Sequence, residues 1–307
     1  MKNERKRVLI IFLIIAIIAA IVTVSVIFYK VPQGTISGNR IAVIHINGPI
    51  SSGDDNFNGG LLAGDSVNSG SIVQFIESAS KDKTIKGIIL NINSPGGAVV
   101  ASKDITEAVK KVDKPVVALI REVGASGAYW VASAADIIVA DPLSITGSIG
   151  VFGGYLEFSE LMSNYGVEFH SIKSGKYKDL GNQFVNLTPE GEKILEDKLN
   201  IIHDYFVDDV NGNRKKDLSK YANGLFYLGT EAKQIGLIDE LGGKEEAIAA
   251  VKKLAGITTE PELVFYKSKR NILDILSKLM NDFGFSIGSG VGHEFVVNNN
   301  KFDIQLK

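Results

Sequence analysis

The chain begins with a long apolar run. From Val8 to Tyr29 it reads VLIIFLIIAIIAAIVTVSVIFY, with no charged residue, and Lys30 closes the run. As a helix rising about 1.5 Å per residue this stretch is roughly 33 Å long, enough for a hydrocarbon core of about 30 Å. A cleaved signal peptide has a shorter apolar region and ends in small residues. Here the far end, Val26 to Tyr29, is bulky, so the pattern predicts a retained transmembrane helix over 8–29. Residues 30–39 read as a polar linker.

From Arg40 the pattern changes to short apolar runs alternating with helical periodicity. IAVIHI (41–46) reads as a buried strand, followed by a Gly-, Ser-, Asn- and Asp-rich stretch from Gly48 to Ser71. A helix is predicted over 71–82, with Ile72, Phe75 and Ile76 on one face. Then come strand 87–92, helix 98–112, strand 115–120, a small-residue helix starting near Ser126, and strand 136–140. Strands alternating with helices of this length imply βα units and a largely parallel sheet. Further on, helices are predicted over 188–213, 229–235 and 243–255, with a strand at 262–266. The domain is expected to span 40–267. Residues 268–307 read as one amphipathic helix (270–283) and a flexible Gly-, Ser- and Asn-rich tail.

Charge adds an orientation. Lys2, Arg5, Lys6 and Arg7 precede the apolar run, against Lys30 and Arg40 soon after it. This bias keeps the N-terminus (1–7) in the cytoplasm and places the remainder outside a cell membrane crossed once. The net charge is −2, with no basic stripe beyond the first seven residues, which argues against a nucleic-acid partner. The absence of cysteine excludes disulfides, thiolate zinc sites and a cysteine nucleophile. Asp209, Asn211 and Asn213 look like the start of a calcium loop. Arg214 stands where that loop needs glycine, however, and Lys220 where it needs glutamate. No metal or cofactor is expected.

Three glycine-bearing motifs could carry chemistry. NSPGG (Asn93 to Gly97) follows a buried strand, and its backbone N–H groups could cradle a carbonyl oxygen or a phosphate. Phosphate has little support without GxxxxGK[ST] or GxGxxG. GASGAYW (Gly124 to Trp130) puts Ser126 at a strand-to-helix transition between small neighbours. There the N–H of Gly127 is a natural oxyanion donor, although an N-cap serine in a packed helix has the same local pattern. TGSIGVFG (Thr146 to Gly153) offers Ser148, which could hydrogen-bond a neutral amine or simply sit in a strand.

A serine hydroxyl needs a partner to take its proton. The four histidines are poorly placed for this. His45 falls in the first predicted strand, His170 in a predicted strand VEFHSI, His203 in a polar-faced helix and His293 in the tail. Lysine is the alternative, because burial lowers its pKa from the free value of about 10.4. SGKYKD (Ser174 to Asp179) and its flank offer Lys173, Lys176 and Lys178, and their spacing does not choose among them.

The order of these motifs behind an apolar anchor resembles the signal peptide peptidase A family of bacteria in its short, single-copy form, over about 40–255. The departure seen is minor, Ala128 in place of a common second glycine. The resemblance implies that Ser126 is the nucleophile and Lys178 the general base. It further implies that Ser148 orients the lysine and that the Gly97 and Gly127 amides form the oxyanion hole. It also implies a Clp protease/crotonase-like α/β fold of stacked ββα units. The expected activity is serine peptidase cleavage of signal-peptide remnants and other short peptides. Short members resemble homo-oligomeric rings in which neighbouring protomers share the Ser/Lys dyad. Two rival readings fit parts of the pattern: a crotonase-like acyl-CoA enzyme, and a membrane-tethered ring that sequesters peptides as an immunity protein.

Overall fold

The computed structural model describes residues 39–53 and 66–266, together with Ile15, Ile17 and Ile18. Those three isoleucines are helical and exposed. The rest of the predicted span 8–29, the N-terminal 1–7 and the predicted helix and tail over 268–307 lie outside the described residues. Among the described residues, no helix is long and apolar enough to cross a membrane. Contacts divide the chain into two units, Met1–Phe265 and Tyr266–Lys307, and the first holds the sheet and its helices.

In chain order the elements are β1 (Arg40–Asn47), β2 (Ile50–Ser51), β3 (Val67–Asn68), α1 (Ser69–Lys81), β4 (Ile85–Ser94) and α2 (Val99–Lys110). Next are β5 (Val116–Ala125), α3 (Gly127–Ser133), β6 (Ile137–Ala140), β7 (Ile145–Gly147), α4 (Ser159–Asn164) and α5 (Pro189–Arg214). The chain continues through β8 (Phe226–Leu228), α6 (Gly229–Ile235), β9 (Glu240–Leu241), α7 (Lys244–Ala255) and β10 (Glu262–Tyr266). One sheet has the order β10-β1-β4-β5-β6-β9, and β7 pairs with both β5 and β8. The β1–β4, β4–β5, β5–β6, β5–β7 and β6–β9 pairs are parallel, and β7–β8 is antiparallel. This is the mixed α/β sheet that the alternating pattern predicts.

The central strands are unbroken apolar runs because both sheet faces are covered. In β4, Ile88, Ile89, Leu90 and Ile92 are all buried. On one face Ile41, Val43, Ile89, Val117, Leu119 and Val139 pack with Ala247, Ala250 and Val251 of α7. Side chains alternate along a strand, so Ala42, Ile44, Leu90 and Ala118 point to the other face, which is also buried. Each isoleucine or leucine so buried contributes about 1.5–3 kcal/mol.

Two features depart from the sequence pattern. Residues 167–172, predicted as a strand holding His170, form no strand and are exposed. The alternation is there, but a strand needs a neighbour for its backbone groups, and none pairs with it among the described residues. In addition, β5 runs past the predicted end at 120 to Ala125, with Arg121 and Glu122 exposed. That extension delivers Ser126 to the C-terminal end of a central strand.

Candidate active site

Ser126 stands between β5 and α3 with φ 54° and ψ −126°. A non-glycine residue in this conformation costs of order 1–3 kcal/mol and persists only where its surroundings over-determine it. Here they do. The Ser126 N–H donates to the Gly147 carbonyl at 2.8 Å, and its own carbonyl accepts from the Trp130 N–H at 3.0 Å. Helix α3 is wholly buried. It is pinned by the Tyr129 hydroxyl donating to the Leu237 carbonyl and by Trp130 Nε1–H donating to Asp209 at 2.7 Å. Burial pushes the Tyr129 phenol pKa up, so Tyr129 remains a neutral donor. The Ser126 hydroxyl does not cap its helix, which leaves it available to a reacting group.

The glycine turn after β4 abuts this serine. Ile50 and Gly97 form a parallel bridge in which the Ile50 N–H donates to Gly96 and the Ala98 N–H to Ile50. Those two bonds leave the Gly97 N–H on the side away from Ile50. A Cβ on Gly97 would lie 2.1 Å from the Ile50 carbonyl oxygen, and one on Gly96 would lie 2.7 Å from the Gly127 nitrogen. At Gly127 a Cβ would meet Ser102 Oγ at 2.2 Å and the Gly97 nitrogen at 3.4 Å. Only glycine fits at these three positions. The Gly127 amide belongs to the first turn of α3, where helix N–H groups lack intrahelical partners. Two amides thus converge beside a serine hydroxyl, an arrangement suited to a carbonyl oxygen gaining negative charge. Ser94 Oγ accepts from the Gly96 N–H at 3.1 Å and Asn93 Oδ1 from the Val123 N–H at 3.2 Å, bracing the turn.

Ser148 comes to the same place by register. Ala125 pairs with Gly147 across β5 and β7, so the next residues, Ser126 and Ser148, leave the sheet side by side. Ser148 also has a positive φ, 48°. Its N–H donates to the Leu225 carbonyl at 2.8 Å and its hydroxyl to the Gly224 carbonyl at 3.3 Å. Both serines line a cleft of about 440 Å³ together with Phe152, Leu199, His203 and Gly224. Ser126 also lines a second cleft of about 230 Å³, with Gly97 and Gly127 on one side and Val99, Trp130 and Phe206 as apolar wall. Trp130 and Phe206 stack with ring centroids 4.5 Å apart.

Four of the five predicted site residues therefore meet, and Lys178 does not join them. Neither cleft is lined by a lysine. Lys178 lies on the exposed segment 150–188, whose one regular element is the short α4. The three candidate lysines nevertheless separate. Lys173 Nζ binds both oxygens of Asp179 at 2.6 and 2.7 Å, and Lys176 Nζ binds Glu190 at 2.8 and 2.7 Å. The Glu190 hydrogen bond raises the Lys176 pKa, which holds it charged. Lys178 has no side-chain hydrogen bond or ion pair among the described residues.

Other candidates resolve as well. His45 packs in β1 with Nδ1 2.9 Å from Asn91 Nδ2, and His170 is exposed. His293 lies outside the described residues. His203, expected on a polar helix face, lines the cleft of Ser126 and Ser148. Asp209, Asn211 and Asn213 belong to α5, where they bond Trp130, Ser219 and Ser133.

Residues 108–258 match peptidase family S49, and residues 64–140 match Clp protease. A Methanocaldococcus jannaschii protein named as a protease is 35% identical over 260 residues, 83% of this chain and 82% of its own length. The chain belongs to peptidase family S49. It is a serine peptidase, built on a mixed α/β sheet consistent with a Clp protease-like domain. An Enterococcus faecium protein named as a signal peptide peptidase is 30% identical over 76% of this chain and 68% of its own length. Protease 4 of Haemophilus influenzae is 34% identical over 74% of this chain, which spans 35% of that protein.

Proposed function

We propose that this peptidase is a membrane-anchored endopeptidase that degrades signal-peptide remnants and other short peptides on the outer face of the membrane. Ser126 is its nucleophile and Lys178 its general base. The observation that carries the assignment of Ser126 is the convergence of the Gly97 and Gly127 amides on a serine held at φ 54°. The name of the Enterococcus faecium relative supports the substrate class. On this reading residues 8–29 anchor the chain in lipid and 40–267 form a peptidase domain of the Clp protease/crotonase-like kind with stacked ββα units.

The reaction runs as an acyl transfer. Neutral Lys178 takes the proton of the Ser126 hydroxyl as the oxygen attacks a peptide carbonyl, whose oxyanion is held by Gly97 and Gly127. The lysine then passes that proton to the leaving amine. Water, deprotonated by the same lysine, hydrolyses the ester and restores the serine. Ser148 accepts an N–H of the amine and aims its lone pair at Ser126. The apolar cleft at Val99, Trp130 and Phe206 suits an apolar side chain next to the scissile bond.

The base is supplied by the neighbouring protomer of a homo-oligomeric ring. Supporting this, the segment that bears Lys178 exposes Phe152, Tyr165 and Ile172 to 92%, 80% and 100%. A surface of that kind is costly in water and marks an interaction face. Mixing tests the idea: Ser126→Ala and Lys178→Ala chains are each inactive, and co-assembled they regain peptide cleavage. A mixture as inactive as its components overturns the shared dyad.

A further inference from the structure

Among the residues lining the cleft of Ser126 and Ser148, the titratable side chain is His203 of α5. Its Nε2 lies 2.8 Å from the Ala222 carbonyl oxygen. A carbonyl only accepts, so Nε2 carries the proton and donates it. In the neutral ring the lone pair is then on Nδ1, which lies 3.9 Å from a carboxylate oxygen of Asp204. Nε2 is thus committed as a donor and does not serve Ser126 as a base.

What His203 holds is the segment Ala222–Leu225. This segment is also bonded through the Gly224 N–H to the Ile149 carbonyl at 2.9 Å, and it supplies both acceptors of Ser148: Leu225 for its N–H and Gly224 for its hydroxyl. The direction of that last bond matters chemically. A serine hydroxyl can donate once and accept through its lone pairs. With its proton engaged by Gly224, Ser148 can only accept from a neutral lysine amine, and the amine's lone pair is left for the Ser126 proton. A hydroxyl free to turn could donate to that lone pair and occupy the base.

We infer that His203 is a positioning residue for the peptidase reaction, fixing through Ala222 the segment that sets the direction of the Ser148 hydroxyl. The inference rests on the roles of Ser148 and Lys178 proposed above. The test uses the full-length anchored protein in detergent micelles with a fluorogenic peptide, comparing His203→Ala with His203→Gln, which keeps a donor for Ala222. His203→Ala is expected to lower kcat roughly 10- to 100-fold, as small misplacements of catalytic groups do. KM should be unchanged, and the ascending limb of the pH–rate profile should move to lower pH, because a hydroxyl donating to the amine's lone pair favours its neutral form. His203→Gln is expected to restore most of kcat. In a Ser148→Ala background, His203→Ala is expected to add no further loss.

Parental kcat and pH profile in His203→Ala overturn the inference, as do losses in the two alanine variants that multiply. Should His203→Ala fail to fold, the glutamine variant decides: near-parental kcat supports the inference, and a tenfold loss in the folded protein overturns it. Failure of the underlying dyad would show separately, as full activity in Lys178→Ala.

Discussion

Ser126 and Ser148 follow directly on register partners, Ala125 and Gly147, and the Ser126 N–H is tied to the Gly147 carbonyl at 2.8 Å. Two parallel strands therefore end together, and each turns out of the sheet through a non-glycine residue at positive φ, 54° and 48°. The sheet's own hydrogen-bond register is what sets the two hydroxyls side by side.

The strain at Ser126 has a measurable counterpart. Ser126→Gly removes the Cβ that makes φ 54° unfavourable, so the variant is expected to gain about 1 kcal/mol in stability. On the proposed mechanism it also loses the nucleophile, and peptidase activity should then fall by at least about 10³-fold. Urea unfolding and a labelled-peptide assay on the same preparation check both halves. A less stable glycine variant would show that the turn is not strained.

Gly127 is required for lack of room. Ala at this position would drive a methyl group to 2.2 Å from Ser102 Oγ and toward the Gly97 amide. Gly127→Ala is expected to destabilise the fold by about 1–3 kcal/mol and to abolish labelling of the serine by a fluorophosphonate. Adding Ser102→Gly is expected to recover stability, as read by thermal melting.

The three lysines make distinct predictions. Lys178→Ala should eliminate turnover. Lys173→Ala and Lys176→Ala break the exposed ion pairs to Asp179 and Glu190, contacts worth about 0–1 kcal/mol, and should retain activity within a few-fold of the parent. The parent's rate should rise with pH, as a lysine base requires. Comparable loss in all three variants would assign the effect to the segment and not to a base.

Acid should weaken the fold through Asp82. Its carboxyl accepts from the Thr84 hydroxyl at 2.7 Å and the Thr84 N–H at 2.8 Å, bonds that hold its pKa below the ordinary 3.8. A carboxylate with a depressed folded pKa stabilises above the unfolded value, and that stability is lost as pH falls through the folded one. Asp82→Asn is therefore expected to lower the Tm by about 2–4 °C at pH 7, with the gap to the parent narrowing steadily below pH 4. A gap that does not change with pH would place the effect elsewhere.

The sheet was legible because burial on both faces writes itself as unbroken runs such as GIILNI and PVVALI. The strand-to-helix turn at Ser126 was legible through its small neighbours. The extension of β5 was hidden by Arg121 and Glu122, which look like a loop and are simply exposed strand residues. The surroundings of Ser148 were hidden for a different reason. Its hydroxyl acceptor, Gly224, is 76 positions away in the chain, and no local pattern encodes such a meeting. His203 entered the cleft for the same reason, since only the packing of α5 decides which of its faces meets the site. At 167–172 the alternation was real and the partner strand was missing.

The apolar surface between Phe152 and Ile172 has a consequence for how much enzyme a cell makes. If one chain's arm completes another chain's site, a lone copy is inert whatever its fold. If residues 8–29 also anchor the chain, as proposed, chains confined to a bilayer meet according to their number per unit area. Copy number then enters as more than a multiplier: halving the chains in the membrane removes more than half of the proteolysis, and a sparse population is harmless to its surroundings.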